Sequence, residues 1–206
     1  MKFLDKKILI FDVDGVLVDS KTNMRLSWKS VQKKYSLNHI KFDEYFKNIG
    51  RPFFEILNKI GVEDKYNKIK NTYQKESMKQ VNNINYFPNT IKTIKKLKEK
   101  KFNLNIVTSK DSKRTKIFLK EIKEYFTIIE CNNDSKKGKP NPDQINFIIS
   151  KSKAKKSECV YIGDTHVDYE TSQNSNIDFI FAKWGYGKNY NYKQKCSKPI
   201  DLIKIF

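Results

Sequence analysis

The run Lys7-Ile-Leu-Ile-Phe11 is apolar at every position after its lysine and stops abruptly at Asp12-Val-Asp-Gly15. A strand without polar alternation has no face to give to water, so it must lie in a sheet covered on both sides. Parallel sheets are built that way, and the two carboxylates then sit at the sheet's edge. Similar runs recur. Phe102–Val107 ends at Thr108-Ser109, and Cys159–Ile162 ends at Gly163-Asp164. Shorter runs cover residues 128–131 and 178–182. Helical stretches are expected between them at 89–100, behind Pro88, at 112–120 and at 142–150. Strands alternating with helices predict an α/β domain, a parallel sheet with helices on both faces and right-handed crossovers.

The pattern changes between the first two long strands. Met24, Leu26, Trp28, Val31 and Tyr35 recur at helical spacing. Phe53, Ile56, Leu57 and Ile60 form a clearer stripe that stops at Gly61, and 63–78 reads as a further polar helix. Residues 20–82 hold no convincing strand and are expected to form a helical insert, with 1–19 and 83–206 as the core domain. A chain of 206 residues suits a core of this size plus a small insert.

In an open α/β sheet the carboxyl ends of the strands form the ligand crevice, so residues far apart in sequence meet there. Asp12, Asp14 and Asp164 would bring three acids together, with Asp168 one helical turn beyond. Such a cluster is costly without a cation. A hard ion with oxygen ligands, keeping waters and a phosphate, describes Mg²⁺. Its expected ligands are the Asp12 carboxylate, the Asp14 backbone carbonyl and the Asp164 carboxylate. An aspartate can attack phosphorus and so divide hydrolysis into two steps. Asp12 sits where a fixed nucleophile belongs, and Asp14 can protonate the leaving oxygen and later deprotonate water. Lys139, in a loop held by Pro140 and Pro142, and the Thr108 hydroxyl would bind phosphoryl oxygens, with Ser109 beside them. Each piece alone has a plain reading as a surface turn, a helix cap or one lysine among many. Those readings do not account for all four in order, three at strand ends and the fourth in a proline-held loop.

A net charge of +19 first suggests nucleic acid. Yet Arg25, Arg51 and Arg114 are the only arginines, and readers of base edges rely on arginine forks. The lysines are scattered as on a solvated face, which would attract anionic substrates in general. No specific nucleic-acid partner is expected. Cys131, Cys159 and Cys196 lack any CxxC spacing and read as free thiols in a reducing compartment. The run 8–11 is too short for a signal-peptide core, and no segment approaches a membrane span. A soluble cytoplasmic protein without a membrane partner is expected, and no oligomeric state can be read.

The four segments resemble the motifs of the haloacid dehalogenase superfamily. Phe11-Asp-Val-Asp-Gly-Val-Leu17 is similar to motif one, with Asp12 as nucleophile and Asp14 as acid and base. Ile106-Val-Thr-Ser109 resembles motif two, with Thr108 as the phosphate-binding hydroxyl. Lys139-Pro-Asn-Pro-Asp143 resembles motif three. Gly163-Asp-Thr-His-Val-Asp168 resembles motif four, with Asp164 as metal ligand and Asp168 as supporting acid. The resemblance implies a Rossmann-like core with an all-helical cap inserted after motif one, as in the phosphoglycolate-phosphatase and β-phosphoglucomutase branch. Tyr86-Phe-Pro-Asn-Thr90 and Trp184-Gly-Tyr-Gly187 resemble segments of that branch. The implied activity is Mg²⁺-dependent hydrolysis of a small phosphorylated substrate such as phosphoglycolate, a sugar phosphate or a polyol phosphate.

Asp14 separates the chain from dehalogenases and phosphonatases, which lack that second acid. The mutases carry a hinge histidine where Met24 falls here. A sugar phosphomutase is therefore the alternative, and hydrolysis is favoured. A binding protein of the same fold without turnover is a further alternative, against which every motif residue is intact. Gly50–Glu55 corresponds to the cap segment that faces the site. Arg51 there would either bind an anionic or hydroxyl group of the substrate or sit on the surface at a helix start. Trp184 and Tyr186 read as packing residues of the core or lid.

Overall fold

The computed structural model describes residues 5–62, 65–133, 137–188 and 191–206. The chain runs β1 (Ile8–Phe11), β2 (Val18–Asp19), α1 (Lys21–Tyr35), α2 (Phe42–Phe46), α3 (Phe53–Lys59) and α4 (Tyr66–Lys79). It continues through β3 (Asn85–Tyr86), α5 (Thr90–Glu99), β4 (Asn103–Thr108), α6 (Ser112–Phe118) and β5 (Phe126–Cys131). Then follow α7 (Asp143–Ser152), β6 (Cys159–Gly163), α8 (His166–Ser175), β7 (Asp178–Ala182), β8 (Lys195–Cys196) and α9 (Leu202–Ile205). The helix expected from residue 63 is α4; positions 63 and 64 lie outside the described residues.

Six strands form one sheet in the order β5-β4-β1-β6-β7-β8, and every pair is parallel. This is the Rossmann-like α/β fold expected. β1 lies inside the sheet, with Ile8 opposite both Asn103 and Cys159. Its alternate side chains serve two cores, as the pleat requires. Leu9 and Phe11 join Leu104, Ile106, Val160 and Ile162 on one face, packed with Ile94 and Leu97 of α5. Ile8 and Ile10 join Tyr161, Phe179 and Phe181 on the other, packed with Ile145 and Ile148 of α7. That double demand is why the sequence shows no polar alternation.

Helices α1 to α4 carry a third core of their own. Trp28 is fully buried there and stacks on Tyr45 with ring centroids 4.7 Å apart. Ile56 and Leu57 of the predicted stripe are buried beside it, and Gly61 ends the stripe at φ +71°. The chain leaves the sheet through β2 and returns through β3. These pair antiparallel, Val18 with Tyr86 and Asp19 with Asn85. The two crossings therefore lie side by side and bring both connections to one place.

Trp28→Ala would empty the centre of the third core. Deleting a buried aromatic costs about 3–5 kcal/mol. Urea unfolding followed by circular dichroism should show a loss of that size. A loss below about 1 kcal/mol would mean that the helices do not depend on this core.

Candidate active site

β1, β4 and β6 end at the same edge of the sheet and deliver Asp12, Thr108 and Asp164 there. Asp14 follows β1 in a tight turn where Gly15 takes φ +88°. A Cβ at Gly15 would lie 2.2 Å from Asp164 Oδ2. Glycine thus supplies both the left-handed backbone and the close approach of the two acidic segments. Thr165 caps α8 by accepting from the Asp168 amide at 3.3 Å, which turns Asp168 back toward the sheet.

Lys139 is fully buried between two carboxylates. Its Nζ donates to Asp12 Oδ1 at 2.7 Å and to Asp168 Oδ1 at 2.8 Å. Tyr161, inside β6, donates its hydroxyl to the same Asp168 oxygen at 2.9 Å. Asp168 Oδ2 accepts from the Asp164 and Thr165 amides, at 3.2 and 3.0 Å, and from Thr165 Oγ1 at 2.7 Å. Both oxygens of Asp168 are therefore fully engaged. Asp164 is different. Its Oδ2 accepts from the Tyr186 amide at 2.7 Å, while its Oδ1 is buried with no hydrogen-bond partner. Asp12, Asp164 and Asp168 each bring a carboxylate oxygen within 4.8 Å of the others.

Such crowding shifts the acids strongly. Burial pushes the Asp12 carboxyl up to about 7, against the pull of the Lys139 ammonium. Burial and the neighbouring Asp168 and Asp12 raise Asp164 well above the carboxylate range. Burial opposes charge on Asp168 too, but Lys139 and the Thr165 donors bring its carboxyl below the usual value. Burial alone would lower Lys139, and Asp12 with Asp168 outweighs it and raises the ammonium. Lys139, Asp12 and Asp168 form one ion-paired unit, and Asp164 stands beside it with one oxygen unpartnered.

A cavity of about 60 Å³ opens over this unit, between the sheet edge and the helical layer. Asp12, Asp14, Thr108, Ser109, Lys139 and Arg51 all line it, so the structure brings these predicted residues together. Asp164 and Asp168 stand immediately behind its wall. Ser109 and Arg51 are engaged with protein partners across the two layers or within one. Ser109 Oγ donates to the Gly50 carbonyl at 2.5 Å, and Arg51 lies 3.6 Å from Glu55 and 3.5 Å from Glu170. The Ser109–Gly50 and Arg51–Glu170 contacts tie the loop before α3 to the sheet domain.

Other lining residues were not singled out from sequence. Lys110 pairs with Asp14 at 3.0 Å, and burial pulls its ammonium down against that partner. Arg114 follows one turn later with its Nε on Asp111 at 2.5 Å. Tyr45 and Tyr73 close the far side. Ser20 Oγ donates to Asp14 Oδ1. Lys110 directly follows Thr108-Ser109, but a lysine-rich chain gives that neighbour no distinction.

The family model for haloacid dehalogenase-like hydrolases matches residues 9–182. A pyrophosphatase PpaX of Oceanobacillus iheyensis is 27% identical over 189 residues, 90% of this chain and 87% of that one. A phosphoglycolate phosphatase of Aquifex aeolicus is 26% identical over 207 residues, 97% and 96% of the two chains. Among solved structures, a haloacid dehalogenase-like hydrolase from Bacteroides fragilis superposes with a TM-score of 0.88 at 26% identity, covering 96% of this chain and 99% of its own. Sequence match, fold and the meeting of the four motifs at one sheet edge agree: the chain is an enzyme of the haloacid dehalogenase-like hydrolase family.

Proposed function

We propose that this hydrolase is a Mg²⁺-dependent phosphatase that cleaves a small phosphate monoester through an aspartyl-phosphate on Asp12. The observation that carries the reading is the unpartnered, buried Asp164 Oδ1 beside Asp12. A buried carboxylate oxygen without a donor is costly and calls for a cation. The donor set is all oxygen, which suits Mg²⁺. Asp12, Asp164 and the Asp14 backbone carbonyl would hold the ion, with Asp168 excluded because its oxygens are filled. When bound, the ion neutralises negative charge on the transferring phosphoryl group.

The rest of the chemistry belongs to side chains. An Asp12 oxygen attacks phosphorus as the bond to the leaving oxygen breaks, and Asp14 gives that oxygen a proton. Water then attacks phosphorus of the aspartyl-phosphate and loses its proton to Asp14, releasing phosphate and regenerating Asp12. Lys139 and Thr108 steady the phosphoryl oxygens. Residues 20–82 act as a cap over a core of 1–19 and 83–206, closing the cavity against bulk water. Arg51 lies on the closing side and Ser109 on the sheet side, and each would reach substrate after releasing its present partner.

The small cavity favours compact esters. The names of the two relatives above point to phosphoglycolate or pyrophosphate, and sugar and polyol phosphates remain chemically suitable. Met24 lines the cavity, where the mutase branch places its histidine, which favours hydrolysis over phosphomutase activity.

A panel of 2-phosphoglycolate, pyrophosphate, glycerol 3-phosphate and a hexose phosphate, with and without Mg²⁺, tests the reading. Phosphate release from at least one ester should require Mg²⁺ and fall by about a thousandfold or more in Asp12→Asn. Near-wild-type turnover in that variant contradicts the mechanism. Isomerised sugar phosphate would mark a mutase, and tight binding without any turnover a binding protein.

Asp12 and Asp164 both hold protons more tightly than free carboxyls do. A divalent ion must displace those protons, so raising the pH through about 7, the value for Asp12, removes the competitor. Mg²⁺ affinity measured by calorimetry should therefore rise between about pH 6 and 8, with proton release visible in buffers of different ionisation enthalpy. An affinity constant across that interval would argue against these two ligands.

A further inference from the structure

The segment Trp184-Gly-Tyr-Gly187 has no part in the chemistry above, yet it lies close against Asp164 and Gly15. A Cβ on Gly187 would lie 1.7 Å from the Asp164 carbonyl oxygen, and one on Gly185 would lie 2.4 Å from the Gly15 carbonyl oxygen. Trp184 Nε1 donates to the Val16 carbonyl at 3.0 Å, which fixes the segment on the turn after β1. Tyr186, between the two glycines, lies across the place where the chain leaves and re-enters the sheet domain.

From there Tyr186 reaches four structures. Its amide holds Asp164 Oδ2 at 2.7 Å. Its hydroxyl accepts from the Ser20 amide at 2.6 Å and donates to Asp19 Oδ1 at 2.9 Å, both on the outgoing crossing. Its ring lies 6.3 Å from Phe87 on the returning crossing. The same ring lies 5.3 Å from Phe46 of α2, which belongs to the helical layer. Ser20, whose amide the tyrosine hydroxyl receives, is fully buried and turns its own hydroxyl onto Asp14.

We propose that Tyr186 is a positioning residue that couples seating of the helical layer to placement of the Asp14 carboxyl, through Phe46 on one side and Ser20 on the other. The inference rests on the reading of Asp14 as the proton donor. With α2 seated, Phe46 presses on the ring. The hydroxyl then fixes Asp19 and Ser20, and Ser20 Oγ holds Asp14 toward the leaving oxygen. With α2 withdrawn, the ring loses that support and Asp14 keeps Lys110 as its remaining tether, free to turn about that ion pair. Proton donation is thereby confined to the closed, water-excluded state.

Tyr186→Phe keeps the ring contacts and removes only the hydroxyl. Acetyl phosphate expels a carboxylate that needs no proton, whereas an alkyl phosphate expels an alkoxide that does. In Tyr186→Phe, kcat/KM for the best alkyl phosphate of the panel should fall about tenfold, a partial loss of general-acid placement. For acetyl phosphate it should change less than about twofold. Phe46→Leu should show the same selective loss at smaller size. The double variant should be no slower than Tyr186→Phe alone, because both changes act on one path. Equal slowing of both substrates, or losses that multiply in the double variant, would overturn the coupling while leaving the phosphatase reading intact. A wild-type enzyme that releases no phosphate from any alkyl phosphate would remove the need for a proton donor and overturn both.

Discussion

One buried ammonium holds the site together. Lys139 Nζ joins the end of β1, the start of α8 and the loop at 137–142 through bonds to Asp12 and Asp168. Removing a partner from a buried pair of this kind costs about 3–5 kcal/mol, because the remaining charge stays buried and unpaired. The three segments are therefore fixed to one another by electrostatics as well as by the sheet. Tyr161 and Thr165 complete the shell of Asp168 and leave Lys139 no freedom to drift. Against that rigid unit the open valence of Asp164 acquires its meaning. It is an unpartnered oxygen beside a fully engaged Asp168 and within 4.8 Å of an Asp12 oxygen.

The helical layer completes the cavity with a different chemistry. Its core of Trp28, Tyr45, Ile56, Leu57 and Tyr73 is separate from the two cores of the sheet. Its links to the sheet domain include polar ones, such as Ser109 to Gly50 and Arg51 to Glu170. Links of that kind are weaker and more easily exchanged than buried apolar area. An apolar interior with polar seams is the combination expected of a body that moves as a unit. No helix among the described residues is long and apolar enough to cross a membrane.

What the sequence made legible follows from where each residue's neighbours come from. The strands of the sheet were readable because burial on both faces leaves an uninterrupted apolar run, and the site acids because each breaks such a run. β2, β3 and β8 were not readable, since a strand of two residues has no period. β5 begins at Phe126 rather than 128 because Thr127 interrupts its apolar pattern. Tyr161 was hidden by its strand, where it reads as one more core residue although its hydroxyl holds Asp168. Tyr186 was read as packing because only the close approach allowed by Gly185 and Gly187 puts its amide on Asp164. Arg51 does line the cavity, but its contact with Glu170 joins segments that meet only in the folded chain.

The central claim is that Asp12 and Asp164 share one divalent ion beside the attacking oxygen. Anomalous diffraction from crystals soaked in Mn²⁺, used as a heavier stand-in for Mg²⁺, tests it directly. The account predicts a single strong peak coordinated by an oxygen from each of these carboxylates, with the Lys139 bridge to Asp168 retained. A well-ordered site without a peak there, or a peak bound elsewhere while Asp164 Oδ1 stays bare, would contradict it.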